Sequence, residues 1–110
     1  MSSKLLVVIA TGDREKALAA LMYTRNVVRN KWLNDVKVVF FGPSEKLAAQ
    51  DDKVAWFVKE IIAAKECFAC KAVSDNDGVS EKLEEAGIRV EYVGTVISEA
   101  IKEGYVLMVW

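Results

Sequence analysis

The chain holds two cysteines, Cys67 and Cys70, and no histidine. Together these facts limit the chemistry open to it. Without imidazole there is no Ser-His-Asp or Cys-His nucleophile pair, no His-ligated metal, and no ordinary general base near neutral pH. Carboxylates, Lys, Arg, Tyr, hydroxyls, backbone amides and the two thiols remain. Cys67-Phe68-Ala69-Cys70 spells C-x-x-C. That spacing is a redox motif only when the first cysteine opens a helix, where free amides stabilise its thiolate. No metal is expected, because the chain has neither a second Cys pair nor a histidine to complete a zinc site. The remaining places of chemical interest are turns after apolar runs: Thr11-Gly12-Asp13, Gly42-Pro43-Ser44 and Cys70-Lys71.

The elements that must position these residues can be read from periodicity. Leu5 to Ala10 is a continuous apolar run closed by Thr11-Gly12, the pattern of a strand covered on both faces. Asp13 then caps a helix from Arg14 to about Asn30, with Ala17, Leu21, Thr24 and Val28 at helical spacing. Val36 to Phe41 is a second strand, and Pro43 cannot continue its ladder, so Ser44-Glu45-Lys46-Leu47 starts a short helix. Val54, Phe57, Val58, Ile61 and Ile62 recur as on one face of an amphipathic helix.

Glu66 to Cys70 is assigned as a third strand more from element order than from propensity. Asp75-Asn76-Asp77-Gly78 reads as a turn or loop. Val79 to Ala86 is helical with Gly87 at its C-terminal end, Arg89 to Val93 is a strand, Thr95 to Glu103 a helix, and Tyr105 to Trp110 a last strand. Strands alternating with helices imply right-handed crossovers and a mostly parallel sheet. The expected architecture is therefore α/β: a flavodoxin-like three-layer sandwich around a mostly parallel five-stranded sheet, as one domain over residues 1–110. In such sheets ligands and reactive groups gather at the carboxyl ends of the strands.

Within that frame the two cysteines separate. Residues three apart on a strand point to opposite faces, so Cys67 and Cys70 are not expected to bridge, and Cys67 reads as a buried small hydrophobe. Cys70 stands where the third strand ends. Amides of the following turn and the charge of Lys71 would favour its thiolate, whereas the acidic Asp75–Asp77 stretch would oppose it. Thr11-Gly12 lacks the glycines of a dinucleotide fingerprint and the Gly-Lys-Ser/Thr of a P-loop. It remains either a backbone anion nest helped by Thr11 or a plain strand-to-helix turn. A receiver domain would carry acidic residues where Thr11 and Cys70 stand, and Thr11-Gly12-Asp13-Arg14 is a poor phosphate loop for FMN.

These features, in order, carry a resemblance. A first strand ending in Thr11-Gly12 is followed by the helix through Ala17-Leu18-Ala19-Ala20-Leu21. A strand then ends in Val38-Val39-Phe40-Phe41-Gly42, a third closes on Cys70, and Glu85-Ala86-Gly87-Ile88 precedes the fourth. Over its whole length the chain resembles the DsrE/DsrF-like family, which includes the TusD-type sulfur carriers. The resemblance implies that Cys70 is the reactive cysteine, accepting a persulfide and passing its sulfur between donor and acceptor proteins. It implies no organic cofactor, a pocket shaped by Thr11, Gly12 and Lys71, and a homo-oligomer, a trimer or hexamer being favoured. The alternative kept beside it is a non-catalytic oligomeric binding module that uses the same strand-end pocket for a small ligand or protein partner.

Whole-chain properties agree with a small globular domain. Of 110 residues, 53% are hydrophobic and 28% charged, and the net charge of −1 gives no reason to expect nucleic acid or an anionic membrane as partner. The apolar run from Leu5 to Ala10 is too short for a signal-peptide core or a membrane span, so a cytoplasmic location is expected. Leu107-Met108-Val109-Trp110 stays apolar to its last residue. Such a strand is either central in the sheet or covered by a neighbouring subunit.

Overall fold

The computed structural model describes residues 3–110. Its strands are β1 (Lys4–Ile9), β2 (Asp35–Phe40), β3 (Cys67–Cys70), β4 (Arg89–Glu91) and β5 (Val106–Val109). Between them run α1 (Arg14–Asn30), α2 (Ser44–Gln50), α3 (Asp52–Ile62), α4 (Lys71–Asp77), α5 (Ser80–Glu85) and α6 (Val93–Lys102). All strand pairs are parallel, and the spatial order is β4-β3-β2-β1-β5. The α/β class, the five strands and the parallel sheet are as the sequence implies.

Local chemistry explains most boundaries. The Asp13 carboxylate accepts from Lys16 N at 3.0 Å and opens α1, and Asp51 does the same for α3 through Lys53 N and Val54 N. Two differences from the sequence reading stand out. The acidic stretch from Asp75 to Asp77 is the last turn of α4 rather than a loop, because Gly78 supplies the left-handed C-cap at φ 71° and Lys71 pairs with Asp75 one turn on. The fourth strand stops at Glu91, because Tyr92 is the extended cap of α6, which buries Val93 and Ala100 against the sheet.

Alternation along the strands divides the core in two. Leu5, Val7, Ile9, Val38, Phe40, Cys67 and Ala69 face one side with the buried residues of α1, α2, α3 and α5. Leu6, Val8, Val39, Phe68 and Cys70 face the other, where α6 contributes Val93 and Ala100. Cys67 and Cys70 are free thiols on opposite faces, as strand geometry requires. The last strand, β5, pairs only with β1 and lies at the sheet edge, so its apolar character is not explained by a central position. Val106, Leu107 and Val109 are exposed.

Candidate functional site at the carboxyl ends of the strands

Three turns meet where β1, β2 and β3 end. After β1, Thr11 Oγ1 accepts from Asp13 N at 3.0 Å, so this hydroxyl shapes its own turn. Gly12 lies against the turn after β2: a Cβ added there would stand 3.0 Å from Pro43 Cβ. Gly42 adopts φ +100°, open to glycine at little cost. Ser44 Oγ, fully buried, donates to the Ile9 carbonyl and ties the second turn to the first strand. The result is a pocket of about 500 Å³ lined by Gly12, Gly42, Pro43, Lys46, Leu47, Val73 and Asp77. Lys46 Nζ faces Asp77 Oδ1 at 3.9 Å in this wall.

Cys70 is the last residue of β3 and the N-cap residue of α4, with φ −71° and ψ 119°. Its side chain makes no capping hydrogen bond to the first turn of α4. The thiol is 7% exposed and packs with Phe68, Val8, Val39 and Val93 on the α6 face. One step beyond the Phe40–Ala69 pair, the register brings Phe41 level with Cys70, and Phe41 is 43% exposed. Glu91 pairs with Cys70 from the other side.

The remaining site residues proposed from sequence separate in space. Gly12 lines the pocket, whereas Thr11, Cys70 and Lys71 are not in its wall. Lys71 Nζ meets Asp75 Oδ2 at 2.5 Å, a contact that raises the lysine's affinity for its proton and lowers that of the carboxylate. Its charge is thus directed along the surface of α4. Cys67 is sealed in the core, and burial pushes its thiol up to about 12, which makes it an unreactive group at neutral pH.

One residue of this region was not singled out from sequence. Glu45, in the first turn of α2, is 0% exposed. Its Oε2 accepts from Gly42 N at 3.1 Å, while its Oε1 has no hydrogen-bond partner. Burial raises the carboxyl to about 7; the Gly42 amide opposes this, the Asp77 charge adds to it, and the Cys70 amide opposes it again. Glu45 therefore sits between the end of β2 and the end of β3, under a wall of the pocket. The only hint in the sequence is the spacing of three between Gly42 and Glu45, similar to the reach-back of a helix-capping glutamate. A charged residue in a first turn ordinarily faces water.

Fold and site together define a parallel α/β domain with an uncapped cysteine at the carboxyl end of an inner strand and a buried carboxyl beside it. No protein-family model matches the chain, and no curated protein matches it either. Solved structures do. A conserved protein of unknown function from Bacteroides thetaiotaomicron superposes with a TM-score of 0.89 at 26% identity, covering 98% of this chain and 95% of that one. A protein of unknown function from Methanobacterium thermoautotrophicum superposes with a TM-score of 0.77 at 18% identity, over 98% of this chain and 99% of that one. The chain shares its fold, end to end, with both.

Proposed function

We propose that this chain is a DsrE-like sulfur-transfer protein in which Cys70 carries a persulfide. The observation that carries the reading is the placement of Cys70 at the carboxyl end of β3, where the chain turns into α4 with no side chain capping its first amides. In the reaction the Cys70 thiolate attacks the outer sulfur of a donor persulfide. The donor's S–S bond breaks, its thiolate leaves, and Cys70 becomes the persulfide; a second thiolate then takes the sulfur in the same way. No net oxidation occurs and no metal or organic cofactor is required. Thr11 fixes the turn that carries Gly12, and Gly12 and Gly42 line the neighbouring strand-end pocket. Lys71 is a surface cation next to the nucleophile. The partners would be sulfur donor and acceptor proteins of the cytoplasm, with neither nucleic acid nor membrane involved.

The exposed apolar edge of β5 supports assembly with further copies of the chain, as a trimer or hexamer. Sedimentation of the wild type and of Leu107→Lys would test this, the variant being expected to shift toward the monomer. The transfer reading is tested by intact mass spectrometry after incubation with glutathione persulfide. The expected result is a gain of about one sulfur in wild type and Cys67→Ala, and none in Cys70→Ser. Absence of the adduct from wild type would refute the reading.

A second reading rests on a different observation. Cys70 is buried, Lys71 is paired with Asp75, and the pocket wall carries Asp77, all of which oppose an activated thiolate. On that reading the chain is a non-catalytic oligomeric binding module that uses the strand-end pocket for a small ligand or protein partner. Retention of every partner by Cys70→Ser would favour it.

A further inference from the structure

We infer that β5 pairs antiparallel with β5 of a second copy across a two-fold axis at Met108, so that two five-stranded sheets join edge to edge. The inference rests on the reading of β5 as the face through which copies assemble, and is independent of the chemistry of Cys70. It narrows that reading. The unit of assembly is a pair, and a hexamer is three such units.

The backbone supplies the first reason. Trp110 N donates to the Val8 carbonyl at 2.8 Å and the Trp110 carbonyl accepts from Ala10 N at 2.8 Å, so both main-chain groups face β1. Alternation along the strand turns the groups of Met108 the same way, and those of Leu107 and Val109 the opposite way. No strand stands on that outer side. Two donors and two acceptors at this spacing are their own complement. When a second β5 runs antiparallel, Leu107 exchanges both hydrogen bonds with Val109 of the second copy, and Val109 does so with its Leu107. Met108 then stands opposite Met108 on the axis, and Val106 opposite Trp110. A register centred on Leu107 would need Tyr105 in the strand, and Tyr105 N is held by the Ala100 carbonyl at 3.0 Å.

The side chains fit the same occupant. Native sheets protect an open edge with charge, proline or a very short strand. The opposite edge does this: β4 has three residues, and its Arg89 and Glu91 pair at 3.0 Å. In contrast, β5 is uncharged from Val106 to Val109, and Val106, Leu107 and Val109 are exposed. Leu107 and Val109 stand level with Leu6 and Val8 on the α6 face, so pairing sets two Leu–Val contacts side by side there. On the other face a cavity of about 290 Å³, lined in part by Tyr23, Leu33, Val106 and Met108, opens beside the same strand. An incoming strand therefore meets apolar surface on both faces and free main-chain groups between them. Contact through one strand and its flanks falls below the roughly 1,200 Å² of a standard interface, so the pair comes apart on dilution.

The test places a cysteine on the axis. Opposed residues of a non-hydrogen-bonded antiparallel pair have Cα atoms about 4.5 Å apart, within reach of a disulfide. Met108→Cys incubated with oxidised glutathione should give a covalent dimer whose peptide map joins residue 108 to residue 108. Val106→Cys, which faces Trp110 and lies far along the strand from its counterpart, should give none. Wild type, whose two free thiols are buried, should give none either.

Should Met108→Cys not fold, Val109 gives a second measurement. Its N–H faces outward, so Val109→Pro removes no bond to β1 but removes a donor to the second copy. In sedimentation from about 1 to 500 µM, wild type and Val109→Thr should pass from monomer to even-numbered assemblies, and Val109→Pro should pair at least about tenfold more weakly. A folded Met108→Cys that assembles without the 108–108 link, or a wild-type trimer, would overturn the strand pairing and leave the assembly reading standing. Equal pairing by Val109→Pro and wild type would overturn the strand pairing in the same way. A wild type that stays monomeric throughout would overturn both.

Discussion

Replacing Glu45 by Gln should remove a pH dependence of stability that this fold otherwise carries through the neutral range. The folded protein holds the Glu45 proton up to about 7, whereas the unfolded chain releases it near the ordinary value of 4.5. Between those limits the native state binds more protons than the unfolded state, so stability falls as pH rises. The contribution is complete below about pH 4.5, declines through the window, and is gone above about 7. At about 1.36 kcal/mol for each pH unit between the two values, the loss is about 3 kcal/mol. The window is unusually clean, because the chain has no histidine to titrate within it. Asp35, Asp51 and Asp75 have carboxyls held below their ordinary range, so what they contribute is present at neutral pH and lost only on the acid side, below about 3.8. Urea unfolding followed by tryptophan fluorescence at pH 5, 6, 7 and 8 measures the effect directly. The stability difference, wild type minus Glu45→Gln, should fall by about 2 to 3 kcal/mol across that range. A difference that stays constant with pH would show that the buried carboxyl is charged throughout, and would refute the reasoning.

Phe40 is fully buried in the larger core, and Phe40→Ala should cost about 3–5 kcal/mol in the same urea assay. Gly42→Ala places a Cβ on backbone at φ +100° and should cost more than about 1 kcal/mol, seen as a lowered Tm. Cys67 adds an alkaline limb. Its thiol is raised to about 12 from an ordinary 9, so its contribution is complete below pH 9 and lost as pH rises toward 12. Thermal unfolding between pH 8 and 10.5 should show a decline in wild type that Cys67→Ala flattens.

The strands and long helices were legible because their signals are redundant. Leu5 to Ala10 is apolar throughout since β1 is covered on both faces, and Val54 to Ile62 repeats at a helical period since one side of α3 meets the core. The separation of Cys67 from Cys70 followed from strand geometry alone. Two stretches misled for physical reasons. Asp75, Asn76 and Asp77 are turn formers taken one at a time, yet a helical turn needs only that Gly78 close it and Lys71 pair across it. Tyr92 and Val93 have strand propensity, but the burial of Val93 against the second face of the sheet recruits it to α6. Glu45 was illegible because its burial depends on the ends of β2 and β3 meeting over it, a contact between segments far apart in the chain. Thr11 and Lys71 stand outside the pocket wall with local partners: the Thr11 hydroxyl accepts from Asp13 N two residues on, and Lys71 pairs with Asp75 four residues on, one helical turn away.

The strand order β4-β3-β2-β1-β5 has a bearing on when Cys70 can be reached. The chain lays down four strands side by side in sequence, then crosses the back of the sheet through α6 to seat β5 beside β1. That crossing covers Leu6, Val8, Phe68 and Cys70, and it is fastened by the β1–β5 pair, by the residues α6 buries, and by hydrogen bonds from Tyr105 to Asp35 and from Lys4 to the Glu103 carbonyl. Detachment of α6 and β5 as a unit would uncover the thiol, and would also take Met108 and Trp110 away from the larger core. The rate at which a small reagent finds Cys70 is then a clock for local unfolding of this last segment, and its slowest exchanging amides should lie outside it, in β1 and β2.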